Sequence, residues 1–348
     1  DNRLKKLINE AHVKIPAVLD YIRKHCQPTA ADHIKVPVSI FPNNETRSRS
    51  RSKNRRRKRA SRSEAENCDV NDNHTSGDGT DGYGVVPKVV IRILDADKEV
   101  RIRKTALADQ SHAHLACCVV RGVNLDVEGA QGGQFSGTVF KQFLTVQNQL
   151  HDLDCKKRTL ATIATHDLDK CQLPLIYTAI PPHELKIIPL RASEPVTGLE
   201  LVAQLTAEAE AARKKEKKNA YSGIHKYLNL IKDLQLYSAL VDSDDRVLSF
   251  APVTNSDVSK LSPSSTNILL EVSSGESQAV CRRILDKLIA EMLAIGVRTH
   301  TDAGLDCLVV EQVKVIDSES GDLRCAYPDR LDLRLTNVAD VTREQVKK

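Results

Sequence analysis

At 348 residues the chain is long enough for about two domains and a sizeable core, which excludes a disulfide-stapled miniprotein. Its residues are 41% hydrophobic and 28% charged, as in soluble globular chains, while 3% aromatic content with no Trp and one Met argues against an aromatic-lined cofactor pocket or base-stacking platform. The formal charge of +5 conceals a segregation: residues 47–62 carry ten Lys or Arg and no acid, residues 63–87 carry six acids and no Lys or Arg, and the remainder sums to +1.

No run approaches the roughly 18–20 apolar residues of a bilayer span, and the first thirty residues hold no apolar signal stretch, so no membrane partner is expected. Nine cysteines, never spaced C-x-x-C, suggest neither a disulfide framework nor a zinc ribbon. Reduced thiols fit a cytoplasmic or nuclear location. Residue 1 is Asp and the single methionine is Met292, which reads as the C-terminal part of a longer product.

Ile15, Val18, Leu19 and Ile22 fall at helical spacing, with Pro16 where a first-turn proline is tolerated. Residues 28–86 hold too few large apolar side chains to offset their ordering entropy and read as a disordered linker. Its Arg-Ser repeat leads into Arg55, Arg56, Arg57, Lys58 and Arg59, candidate contacts for RNA phosphates. The same run suits a nuclear-import signal, a switch in which phosphate on Ser48, Ser50 and Ser52 offsets the charge, or a solvated spacer kept extended by like charges.

The folded domain is expected over 87–335, with a tail over 336–348. VVIRIL, a DADKE turn and EVRIRK alternate as a hairpin does. LACCVVR suits a buried strand, and Val139, Phe140, Phe143, Leu144 and Leu150 mark one face of a helix over 136–151. Strand-like runs LIYTAI, KIIPL, LYSALV, RVLSF and NILLEV follow, interrupted by a helix over 198–220. A helix over 277–295 buries Val280, Ile284, Leu285, Leu288, Ile289 and Met292 and stops at Gly296. CLVVEQVKVI and LRCAY then form a hairpin. The layer rules make this a mixed α/β (α+β) domain, a mixed sheet with packed helices.

Phosphate-loop, dinucleotide, G-x-S-x-G and H-E-x-x-H signatures are all absent, so no cofactor and no metal site is expected, and any chemistry must come from dispersed residues. In the stretch ending His166-Asp167-Leu168-Asp169, either Asp167 or Asp169 can orient His166 as a proton carrier, or the group caps the next turn. Thr254, Asn255 and Ser256 follow a strand in a polar turn able to meet a ligand or simply to exit the strand. Glu271 either projects into the same pocket or pairs with a surface Lys.

Taken in order, LACCVVRGV, FLTVQNQLHD, KKRTLATIATHDLD, LIYTAIPPHELKIIPL, YSALVDSDDRVLSFAPVTNSD, TNILLEV and LVVEQVKV resemble the tRNA-binding B3/B4 domain of phenylalanyl-tRNA synthetase beta chains. GLELVAQLTAEAEAARKKEKKNAYSGIHKYLNL is more specifically similar to leucine-rich-repeat proteins that carry this domain after their repeats. That resemblance implies that residues 1–27 close an upstream repeat array, through which protein partners bind. In the synthetase the domain houses a pocket that hydrolyses mischarged phenylalanine tRNA. The matching pocket candidates are His166, Asp167, Thr254, Asn255, Ser256 and Glu271.

Two departures weaken hydrolysis: the family's first motif proline is Ala251, and its Thr-Gly-Thr-Asp-like turn is Ser273-Ser274-Gly275-Glu276. The leading expectation is therefore an RNA-binding, translation-associated protein, with RNA or tRNA as partner and without aminoacylation. An editing hydrolase and a protein-interaction scaffold docking through the 198–220 helix are the alternatives.

Overall fold

Two stretches of alternating buried residues near the start, β1 (Lys88–Leu94) and β2 (Arg101–Lys104), look like hairpin partners but do not pair with each other. Both lie parallel to one long strand from the far end of the sequence, β12 (Cys307–Asp317): Lys88 is opposite Cys307 and Arg101 opposite Lys314. The expected 89–104 hairpin is thus replaced by two strands laid end to end along a common neighbour. The computed structural model describes residues 87–348 except 130–136, 217–222, 301–306, 336–338 and 347–348. The expected 1–27 helix, the 28–86 linker with Arg55, Arg56, Arg57, Lys58 and Arg59, and the last turn of the 198–220 helix lie outside the described residues.

The remaining strands, in chain order, are β3 (His114–Arg121), β4 (Thr162–Asp167), β5 (Leu175–Ile180), β6 (Lys186–Ile187), β7 (Val196–Thr197), β8 (Tyr237–Val241), β9 (Val247–Ala251), β10 (Thr254–Asn255), β11 (Ile268–Ser274), β13 (Leu323–Tyr327) and β14 (Asp340–Val346). Among the described residues twelve of the fourteen join one mixed sheet, along the path β10-β9-β8-β5-β2-β12-β3-β11-β4, with β1 and β13 also on β12 and β14 beyond β1. The expected KIIPL strand shortens to β6, which pairs only with β7. The segment read as a tail from 336 supplies β14, parallel to β1. The C-terminal hairpin forms as expected, with Val313 opposite Tyr327.

Among the described residues three α-helices cover this sheet: α1 (Val139–Asp152), α2 (Gly198–Glu216) and α3 (Gln278–Ala294). Ser277 caps α3 by accepting the Val280 N–H, and Gly296, at φ +90°, ends it in a left-handed turn that glycine adopts without strain. The predicted stripe from Val280 to Met292 is buried against β3 and β11. On α1 the prediction is too wide. Phe143, Val146 and Leu150 are buried, but Leu144 is 40% exposed and Phe140 is only partly covered. A second, smaller core joins Leu185, Ile187, Leu201 and Ile231 to Tyr237 and Phe250, whose rings stack 4.5 Å apart.

Candidate functional site

Pleating sends successive residues of a strand to opposite faces, and on β4 this divides the sequence motif in two. His166 is fully buried, with Nδ1 2.7 Å from Ser259 Oγ and Nε2 3.0 Å from Glu271 Oε2. Ser249 Oγ donates to the same carboxylate oxygen at 2.8 Å. The carboxylate beside His166 is therefore Glu271, reached across the β4–β11 pairing, and neither Asp167 nor Asp169. Nor does Glu271 pair with a surface Lys. Asp167 instead accepts Ser265 Oγ at 2.7 Å and sits 2.9 Å from Lys170 Nζ, whereas Asp169 accepts Asn267 Nδ2. Ser259, His166, Glu271 and Ser249 are each no more than 2% exposed, and all lie outside the large cavity described next. Their order resembles a Ser-His-carboxylate relay, but nothing from solvent reaches it, so its immediate work is to join β4, β9, β11 and the 259 turn.

The other face of β4 presents Ile163 and Thr165 to a cavity of about 1000 Å³. Asn255, on β10, lines it too and donates through Nδ2 to the Thr165 carbonyl at 3.1 Å. Thr254 is beside it in the wall. Ser256 is fully buried outside the cavity, where its hydroxyl donates to the Ile188 carbonyl at 3.0 Å. Of the six sequence candidates the structure thus brings Thr254 and Asn255 to the cavity, leaving His166, Asp167, Ser256 and Glu271 in the protein interior. The wide apolar stripe on α1 is explained here as well, because Leu144 forms cavity wall and Phe140 lines the cavity from the edge of the core.

Four cationic side chains, Arg158, Arg191, Lys226 and Lys260, line the cavity with a single carboxylate, Asp152. Asp152 is bound by Lys226, and Lys260 pairs with Asp257 at 2.8 Å. Arg158 takes its place through an unusual backbone. Lys156, Lys157 and Arg158 have φ of 48°, 56° and 64°, three consecutive left-handed residues without a glycine. This turn carries Arg158 Nη1 onto the carbonyls of Pro252 and Val253, at 2.8 and 3.0 Å, with the guanidinium 4.3 Å over the Tyr227 ring. Strain held by several fixed contacts is common where a side chain must be placed for function.

His151, at the end of α1, is 1% exposed and also lines the cavity. Burial, with the Arg158 charge adding to it, holds its pKa well below the ordinary range and keeps the ring neutral near pH 7. Burial likewise lowers Arg158, though not enough to discharge a guanidinium. His151, Arg158 and Tyr227 lie within stretches quoted above for the resemblance, but none was among the site candidates. The over-wide stripe of α1 was the available signal for this wall. Among the described residues no group of three or more His, Cys, Asp or Glu is arranged to hold a metal, and no helix is long and apolar enough to cross a membrane.

No protein-family model matches the chain. Over 194 residues it is 29% identical to the phenylalanine-tRNA ligase beta subunit of Saccharomyces cerevisiae, an alignment covering 55% of this chain and 29% of that protein. The Drosophila melanogaster beta subunit is 30% identical over 191 residues, and the Caenorhabditis elegans one 25% over 246 residues, covering 71% of this chain and 35% of the relative. The chain is homologous to phenylalanine-tRNA ligase beta subunits. It spans only about a third of the length of these relatives. An N-terminal fragment of the phenylalanyl-tRNA synthetase beta subunit from Pyrococcus horikoshii aligns with a TM-score of 0.48 and 19% identity, over 70% of this chain and 56% of that one.

Proposed function

We propose that the chain is an RNA-binding, translation-associated protein that uses a B3/B4-type domain to recognise tRNA or a related RNA, without aminoacylation. The observation that carries this reading is the cavity lining, where four cations meet one carboxylate in a chain whose charge outside residues 47–87 is close to neutral. Concentrating positive charge at one recess favours a polyanion there over a surface-wide interaction. Homology to beta subunits of a tRNA ligase supports tRNA as that polyanion. The ligase activity itself belongs to proteins of which this chain spans about a third.

The reading includes residues 47–62 as a second phosphate-binding element and places the chain in the cytoplasm, with nuclear access where that run acts as an import signal. It also includes an upstream repeat array that recruits protein partners, as in leucine-rich-repeat-containing protein 47, which the 198–230 segment resembles. Hydrolytic editing is disfavoured because both nitrogens of His166 are occupied by buried groups, Ser259 and Glu271, away from the cavity.

The test is a filter-binding titration of the full chain with phenylalanine tRNA between about 50 and 200 mM salt. Affinity should fall steeply with salt, and deletion of residues 47–62 should flatten the slope. Binding indifferent to salt would overturn the reading. Tyrosine-charged phenylalanine tRNA should release no tyrosine above the buffer rate, whereas release abolished by Asn255→Ala would restore the hydrolytic alternative.

A further inference from the structure

His151 Nε2 accepts the backbone N–H of Ile163 at 2.9 Å. A neutral imidazole has one acceptor nitrogen and one donor, so this bond fixes the proton on Nδ1. That N–H is buried and has no acceptor; the same is true of Arg158 Nε–H. Both residues line the cavity, and the Arg158 charge acts directly on His151. Two buried donors in one wall, each lacking an acceptor, are a costly arrangement unless something supplies acceptor oxygens.

The charges point the same way. Lys226 and Lys260 are compensated by Asp152 and Asp257, but no carboxylate pairs with Arg158 or Arg191 among the described residues. Two guanidiniums outside any ion pair among the described residues match the nearly two negative charges of a phosphate monoester at neutral pH. The cavity, at about 1000 Å³, is far larger than a phosphate, and Phe140, Leu144, Leu190 and Val253 offer an apolar wall to the body that carries it.

We infer that this cavity is a binding site for a nucleotide phosphate, with the His151 Nδ1–H and Arg158 Nε–H as its oxyanion donors and the base against the α1 wall. The site does not depend on the RNA-binding reading, since a free mononucleotide and the phosphorylated end of an RNA present the same group.

The test is calorimetric titration of the full chain with adenosine 5′-monophosphate and with adenosine. The monophosphate should bind at least about tenfold more tightly than adenosine, the effect of hydrogen bonds to a charged group. His151→Gln keeps an acceptor for the Ile163 N–H while deleting the Nδ1 donor, and Arg158→Lys keeps the charge while deleting Nε–H. Each should weaken the monophosphate about tenfold and leave adenosine unchanged. Should either variant fail to fold, histidine ¹⁵N spectra of the unaltered chain serve instead: the His151 Nδ1–H resonance should shift with the monophosphate and not with adenosine.

Equal binding of monophosphate and adenosine, native-like binding by both variants, or no binding at millimolar monophosphate would overturn the inference. A twelve-nucleotide RNA with and without a 5′-phosphate separates the sources. Preference for the phosphorylated RNA over the free monophosphate assigns the site to an RNA end, and the reverse to a free nucleotide. Failure of tRNA binding with retained monophosphate binding would sink the RNA reading alone.

Discussion

Asn255 Nδ2 donates to the Thr165 carbonyl at 3.1 Å, and this bond ties β10, at one end of the strand path, to β4, at the other. The sheet therefore curls until its two ends meet, and the meeting line is also the wall of the cavity. Asn255→Ala should lose about 1 kcal/mol of unfolding free energy, the usual worth of one such bond, while Asn255→Asp should lose more by setting a carboxylate against a carbonyl. Urea unfolding of both variants, read as a shift in midpoint at constant slope, checks the order.

The interior pair His166 and Glu271 is expected to act as a structural unit. His166→Ala and Glu271→Ala should each cost about 3 kcal/mol by stranding the partner, and the double variant should cost clearly less than the sum. Additive losses in a double-mutant cycle would mean that the two side chains stabilise the fold independently.

The left-handed turn predicts an unusual gain. Lys156 and Lys157 are exposed, and their positive φ values are tolerated by glycine at little steric cost. Lys157→Gly should therefore raise stability by about 0.5–1 kcal/mol, in contrast to a glycine placed in α1, which should lower it by a similar amount. Thermal melts of the two variants provide the comparison.

One buried and one half-buried histidine make the fold sensitive to mild acid. Burial lowers the pKa of His151 and of His112 in the folded chain below the ordinary value near 6.5. Above that value both rings are neutral folded or unfolded and contribute no pH dependence. Below it the unfolded chain takes up protons that the folded chain refuses, so stability falls as pH drops, by up to about 1.4 kcal/mol per pH unit for each ring. Midpoints measured at pH 7.5 and 5.5 should differ, and His151→Gln should reduce that difference. An unchanged difference would place the acid sensitivity elsewhere.

Much of this domain is written in local periodicity. The stripe of α3 and its Gly296 stop both survive in the structure because each depends on neighbours within a few residues. The 89–104 hairpin fails for the opposite reason. Two alternating strands and a short turn look the same whether the strands face each other or share a third partner two hundred residues away. The partner of His166 was misjudged because Asp167 is adjacent in sequence but lies on the opposite face of β4, whereas Glu271 comes from the neighbouring strand. Had the TIATHD run been read as strand to its end, that alternation was available. Nothing local marks Arg158 or Tyr227, which meet only through tertiary folding.

The position of β12 bears on how the protein comes to exist. Both β1 and β2 wait for a strand that synthesis delivers more than two hundred residues later, since Lys88 pairs with Cys307 and Lys104 with Asp317. Contacts so distant in sequence slow folding, and the emerging chain must carry the apolar faces of its first strands uncovered until β12 arrives. A premature stop anywhere before Cys307 would yield no smaller working version of the domain, only an aggregation-prone polypeptide with two strands lacking their shared neighbour.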